Sequence, residues 1–244
     1  MSDAALVALI SSVSALVAAL SWPIIVLFLV MRFHRQIAAL TRPFARSLQD
    51  RLESGGGGEA SIAFAGVSFS GKIDAASVLV AEASAQPGVA GGRVTTAEAR
   101  RGLTGVIHSE LAAASVESSA VLWVDDRPEN NSYVVDAFRK LGIAVTLVLS
   151  SRQAIDLLEI NAFDVIVSDM GRQESGSYHE RAGYELLSQV RHTGSTTPFF
   201  IYAGSNLREH KEEARRRGAQ GSTNRPAELM TLVISALANV GETD

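Results

Sequence analysis

Cysteine is absent from the 244 residues, which excludes disulfides, thiolate catalysis and cysteine-based zinc sites and fits a reducing compartment. An excess of positive charge is missing too. Lys and Arg number 22 against 26 Asp and Glu, a net charge of -4 that gives no general reason to expect nucleic-acid binding. Two familiar signatures are also lacking. Gly71-Lys72 has neither the upstream glycine nor the following Ser/Thr of a phosphate-binding loop. No Gly-x-Ser-x-Gly follows a strand, so Ser-His-Asp hydrolysis has no motif behind it. The apolar content of 47% is ample for a core.

Charge is absent in a second, local sense. From Ala4 to Met31 there is no ionisable residue, and the run exceeds the roughly 20 residues that cross a bilayer as a helix. Residues 1–31 therefore predict a transmembrane helix, kinked at Pro23. A cleaved signal peptide fits less well, because no basic residue precedes the run and Arg32 and Arg35 follow it. That asymmetry places the C-terminal bulk in the cytoplasm of a single-pass inner-membrane protein. A buried core helix is the alternative. Residues 32–59 read as a basic amphipathic neck and glycine linker. Arg32, Arg35, Arg42 and Arg46 oppose Ile37, Leu40, Phe44 and Leu48 on a helical wheel broken at Pro43, and Gly55 to Gly58 follow as a joint. Such a helix suits a membrane surface or packing on protein equally well.

Residues 60–118 carry no recognisable chemistry. Ile62, Phe64, Val67 and Phe69 suggest a short two-stranded element turning near Gly66, with helical stretches around 75–85 and 96–114 and Thr96 as a capping residue. The expected role of this accessory segment is packing or self-association.

The remaining stretch, 119–244, alternates strand and helix. Apolar runs at 120–124, 143–149, 164–168 and 198–202 and a short one at 219–222 read as strands buried on both faces. Helical patterns at 132–141, 151–161, 182–192, 207–217 and 227–240 alternate with them, and 170–181 reads as a polar loop. Five such units predict an α/β doubly wound parallel sheet. Two strands end on acid: Val-Asp-Asp at 124–126 and Ser-Asp-Met-Gly at 168–171. Side by side and parallel, they would bring Asp125, Asp126 and Asp169 to the edge where such sheets hold ligands. Three converging carboxylates repel unless a hard cation such as Mg2+ sits among them.

At these residues the chain resembles the receiver domain of bacterial response regulators, a flavodoxin-like (βα)5 fold. The resemblance rests on Val-Leu-Trp-Val-Asp-Asp-Arg-Pro-Glu-Asn at 121–130, Asp-Val-Ile-Val-Ser-Asp-Met at 164–170, Ala-Gly-Tyr-Glu-Leu-Leu at 182–187 and Gly-Ala-Gln-Gly-Ser-Thr-Asn-Arg-Pro at 218–226. It implies Asp169 as phosphoacceptor and Asp125, Asp126, Asp169 and the Gly171 carbonyl as ligands of Mg2+. It also implies Ala203 and Arg225 at the switch and phosphate-binding positions, and a histidine kinase or effector as protein partner. The departures favour a degenerate pseudo-receiver. Ala203 replaces the usual hydroxyl residue, with Ser205 or Tyr202 as substitutes, and Arg225 replaces Lys, a planar fork in place of a compact ammonium. The loop after Asp169 is long, and its Arg172 offers a guanidinium to fill the metal site.

The function expected is that of a membrane-anchored, non-enzymatic signal transducer whose receiver-like domain docks a partner, regulated by Mg2+ and phosphorylation at Asp169. No helix-turn-helix is read after the receiver-like stretch. Two other readings stay open. One is a membrane effector of bacterial stress or defence, a homo-oligomer through Ser11, Ala15, Ala18 and Ala19. The other is an NAD-cleaving or hydrolytic enzyme on a flavodoxin/TIR-like fold, with Glu174 or Glu185 as acid. His179 and His210, in a polar loop and a basic helix, read as ordinary exposed histidines.

Overall fold

A computed structural model describes residues 58–87, 89, 91–202 and 207–239. The predicted span, the neck and linker up to residue 57, and Ala203 lie outside them, whereas Gly58 and Glu59, expected in the linker, begin a helix. Among the described residues no helix is long and apolar enough to cross a membrane.

Five short strands form the parallel sheet that the apolar runs predict: β1 (Ala120–Val124), β2 (Ala144–Val148), β3 (Val165–Asp169), β6 (Phe199–Tyr202) and β7 (Gly221–Thr223). Their order is β2-β1-β3-β6-β7, which places the chain reversal between β1 and β3, where open α/β sheets bind ligands. β1 and the first three residues of β3, Val165 to Val167, are apolar because both faces are covered. Leu122, Val124, Ile166, Phe199 and Ile201 meet helices α5 (Ser151–Ile160), α6 (Ala182–His192) and α7 (Arg208–Arg216). On the opposite face Val121, Trp123, Val165, Val167 and Phe200 meet α4 (Ser132–Lys140) and α8 (Pro226–Asn239).

Residues 58–118 add a further layer of helices. The strand pair expected near Gly66 is not formed. Instead, Gly58–Ala85 is one helix, α1, followed by α2 (Thr96–Val106) and α3 (Glu110–Ser118). The reason lies just downstream of the misread alternation: Phe69, Ile73, Ala76, Val80 and Ala83 recur at helical spacing and are all buried. The stretch expected as one helix over 96–114 is two, separated at Ile107 to Ser109. Thr95, not Thr96, caps α2, in a reciprocal box with Glu98. The three helices pack against α4 and α8, and their buried side chains share one apolar cluster with that face of the sheet.

The polar loop expected at 170–181 contains a small antiparallel hairpin, β4 (Arg172–Glu174) and β5 (Ser177–His179). Its two-residue turn has positive φ at both positions, 52° at Ser175 and 86° at Gly176, the geometry that suits a tight hairpin.

Candidate functional site

Register alone gathers the acidic residues. Val124 lies opposite Ser168, so Asp125 and Asp126, which follow β1, stand beside Asp169, the last residue of β3. One ligand oxygen from each of the three carboxylates falls within a 4.8 Å group. Asp125 is the deep member, 2% exposed. It accepts from the Arg127 N–H at 2.8 Å, the Asn131 Nδ2 at 2.8 Å and the Trp123 Nε1 at 3.3 Å. Asp126 accepts from the Gln173 N–H at 3.1 Å. Asp169 accepts from the Met170 N–H at 2.7 Å.

Burial pushes the Asp169 carboxyl up to about 6, and the charges of Asp125 and Asp126 add to the rise, against the Met170 N–H and Arg172. An all-oxygen donor set under mutual repulsion is the chemistry of a hard divalent cation, so these residues fit Mg2+. Tyr202, opposite Asp169 in the sheet, is pushed up to about 12 by burial and then by Asp169 and Asp125. Its ring stands edge-on to Trp123 at 5.9 Å. Of the two hydroxyls suggested as substitutes at the switch position, Tyr202 is thus beside the site; Ser205 lies outside the described residues, as does Ala203.

Arg172 does not occupy the metal position offered to it from the sequence. Its side chain is fully buried below Asp169, and its guanidinium donates to the Ser168 hydroxyl at 2.7 Å, the Ser151 hydroxyl at 2.8 Å, the Glu174 carboxylate at 3.1 Å and the main-chain carbonyl of Asp169. A planar fork with five donors can serve four acceptors in this way. Glu174 accepts in turn from the Ser151 N–H and hydroxyl. Although burial raises the Glu174 carboxyl, those bonds and Arg172 hold it below the usual carboxylate range. A lowered value is the reverse of what the acid of the enzyme reading needs, and Glu185 is exposed.

The acceptor strand is held from the other side by α6. Gly183 donates its N–H to the Met170 carbonyl at 2.9 Å, and a Cβ there would lie 2.8 Å from the Asp169 carbonyl oxygen, which explains the Ala-Gly pair at the helix start. Gly171 is overlaid by the Tyr178 hydroxyl of the hairpin. Arg225 follows β7, and its side chain runs across Gly91, in the connection between α1 and α2. His179 lies 2.9 Å from the Ser177 hydroxyl and 4.0 Å from Glu185. Neither Tyr178 nor the Gln173 N–H was found by reading the sequence for chemistry. The Ser-Gly turn between two polar triplets was the available signal.

Comparison with known proteins finds relatives of the same stretch of chain. The response regulator receiver domain family matches residues 121–236. The sensor histidine kinase RcsC of Salmonella typhimurium is 26% identical over 124 residues, 51% of this chain and 12% of the kinase. This chain thus spans a small part of that relative. An uncharacterized 14.6 kDa protein of Leptolyngbya boryana is 26% identical over 115 residues, 46% of this chain and 83% of that protein. The receiver domain of a Francisella response regulator is 22% identical with a TM-score of 0.43, covering 50% of this chain and 98% of that one. Residues 121–236, a little under half of the chain, thus resemble a response regulator receiver domain.

Proposed function

We propose that the protein is a membrane-anchored signal transducer whose receiver domain accepts a phosphoryl group on Asp169 and, in response, changes its docking to a protein partner. The observation that carries the reading is the convergence of Asp125, Asp126 and Asp169 within 4.8 Å at the C-terminal sheet edge, where the largely exposed Arg127 guanidinium approaches Asp126 at 3.9 Å. Asp125, Asp126 and Asp169 would hold Mg2+, with the Gly171 carbonyl implied by the family as a further ligand. The bound ion would neutralise the charge that gathers when phosphoryl oxygens meet carboxylates. Asp169 is the nucleophile. Arg172 holds its main-chain carbonyl and the Gly183 N–H holds that of the next residue, Met170, so the carboxylate is presented from a fixed backbone. The uncharged run Ala4 to Met31 supports the anchor, and Arg32 and Arg35 support a cytoplasmic receiver. A histidine kinase is the phosphodonor class the family suggests.

The test is Mg2+ binding by the full chain in detergent, with and without beryllofluoride, in wild type and Asp169→Ala. The reading expects saturable Mg2+ binding and a conformational response to beryllofluoride that both depend on Asp169. Mg2+ binding with no beryllofluoride response would leave a pseudo-receiver that signals by docking alone.

A further inference from the structure

The reading above gives no role to the hairpin that follows Asp169. We propose that the hairpin is a cap on the phosphorylation site, and that Tyr178 is the residue that slows loss of the phosphoryl group by keeping water away. The inference rests on the receiver reading above.

Two contacts tie the hairpin to the site. Gln173 gives its main-chain N–H to Asp126 at 3.1 Å, and Gln173 pairs across the hairpin with Tyr178. The Tyr178 ring, 54% exposed, lies over the Gly171 backbone so closely that a methyl group on Gly171 would overlap the phenol oxygen. Below the hairpin, Arg172 and Glu174 anchor it through a buried network with Ser151 and Ser168. One face is thus fixed to the core while the opposite face sets a large half-exposed ring over Gly171, which is two residues from the acceptor. A ring so placed has no core to fill. What it covers is the backbone beside Asp169.

The reaction it would slow is hydrolysis of the aspartyl phosphate. Water oxygen bonds to phosphorus, the bond from phosphorus to the Asp169 carboxyl oxygen breaks, and the carboxylate leaves with that electron pair. Inorganic phosphate forms and a proton passes to solvent. Excluding water from such an intermediate is a recognised use of a closed site.

The experiment uses the full chain, labelled from radioactive acetyl phosphate with Mg2+ and then freed of donor. Decay of the Asp169-dependent label is followed in wild type, Tyr178→Ala, Tyr178→Phe and Gln173→Pro. Tyr178→Ala is expected to shorten the lifetime about tenfold, and Tyr178→Phe to retain the wild-type lifetime, since the ring is the shield. Gln173→Pro, which deletes the N–H given to Asp126, is expected to shorten it as well. Equal lifetimes in wild type, Tyr178→Ala and Gln173→Pro would overturn the cap while leaving the receiver reading intact. A wild-type chain that takes no Asp169-dependent label would overturn the receiver reading, and the cap with it.

Discussion

The guanidinium of Arg172 hydrogen-bonds the main-chain carbonyl of Asp169, whereas the Asp169 carboxylate accepts from the Met170 N–H. The two residues are three apart in sequence, and a tight turn after β3 sends Arg172 beneath the strand it has just left.

Removing that side chain should be costly. Arg172→Ala strands Glu174, whose side chain is 18% exposed, without its counter-charge. Breaking such a buried pair from one side costs about 3–5 kcal/mol. Urea unfolding monitored by circular dichroism checks the loss. Arg172→Lys should recover only part of it, because an ammonium cannot reach Ser151, Ser168, Glu174 and the Asp169 carbonyl together.

Asp169 predicts a pH dependence of the opposite sense to an ordinary ion-paired carboxylate. Its pKa is raised from 3.8 to about 6 in the folded chain, so the native state holds the proton more tightly than the unfolded state. Stability from this group is present below pH 3.8 and is lost as pH rises toward 6. At pH 7.5 the metal-free Asp169→Asn protein should therefore be more stable than wild type by about 1–3 kcal/mol. Mg2+ should raise the melting temperature of wild type and leave that of Asp169→Asn nearly unchanged. Thermal unfolding at pH 5 and 7.5, with and without Mg2+, decides both points.

Arg225 and Gly91 join the receiver to the accessory helices. Gly91 has φ of 101° and carries the Arg225 side chain across its Cα. Gly91→Ala should cost about 1–2 kcal/mol from the left-handed backbone and displace Arg225, which is exposed and free to swing. A double-mutant cycle with Arg225→Ala measures the coupling. An interaction energy above about 0.5 kcal/mol is expected for residues in contact.

How much of this was legible follows from what kind of signal each element carries. β1 and β3 are buried on both faces, so Val121 to Val124 and Val165 to Val167 are unbroken apolar runs. α6 is bounded as expected, at Ala182 and His192. Asp125, Asp126 and Asp169 were predictable because strand ends place them by register. The hairpin was not, since its strands are three residues long and polar, and what holds them is the burial of Arg172, a charge that sequence patterns assign to solvent. In the accessory segment the helical stretches expected at 75–85 and 96–114 are helical, the second as two helices, but the strand pair is not formed, because the buried helical stripe from Phe69 to Ala83 overrides the alternation from Ile62 to Phe69. Residues far apart in sequence, such as Gly91 and Arg225, leave no local signal at all.

The accessory helices also bear on how the receiver can be studied. A fragment beginning at Ser119 matches the family boundary, yet it would strip α1, α2 and α3 from α4 and α8. Val80, Leu103 and Val116 are 1%, 2% and 0% exposed and belong to the same apolar cluster as Phe138, Leu141, Val233 and Leu237. Cutting the chain there bares the other half of that cluster. The fragment should therefore bind a hydrophobic dye and aggregate or unfold at lower urea than the chain from residue 54 onward. Within the longer chain, Leu103→Ala should cost about 2–5 kcal/mol. Were the fragment as stable as the longer chain, and Leu103→Ala without effect on urea unfolding of the sheet, the helices would be a passenger on the receiver. The shared core predicts instead that α1–α3 and the sheet unfold together, so any movement of α1 imposed from the N-terminal side is felt at α4 and α8.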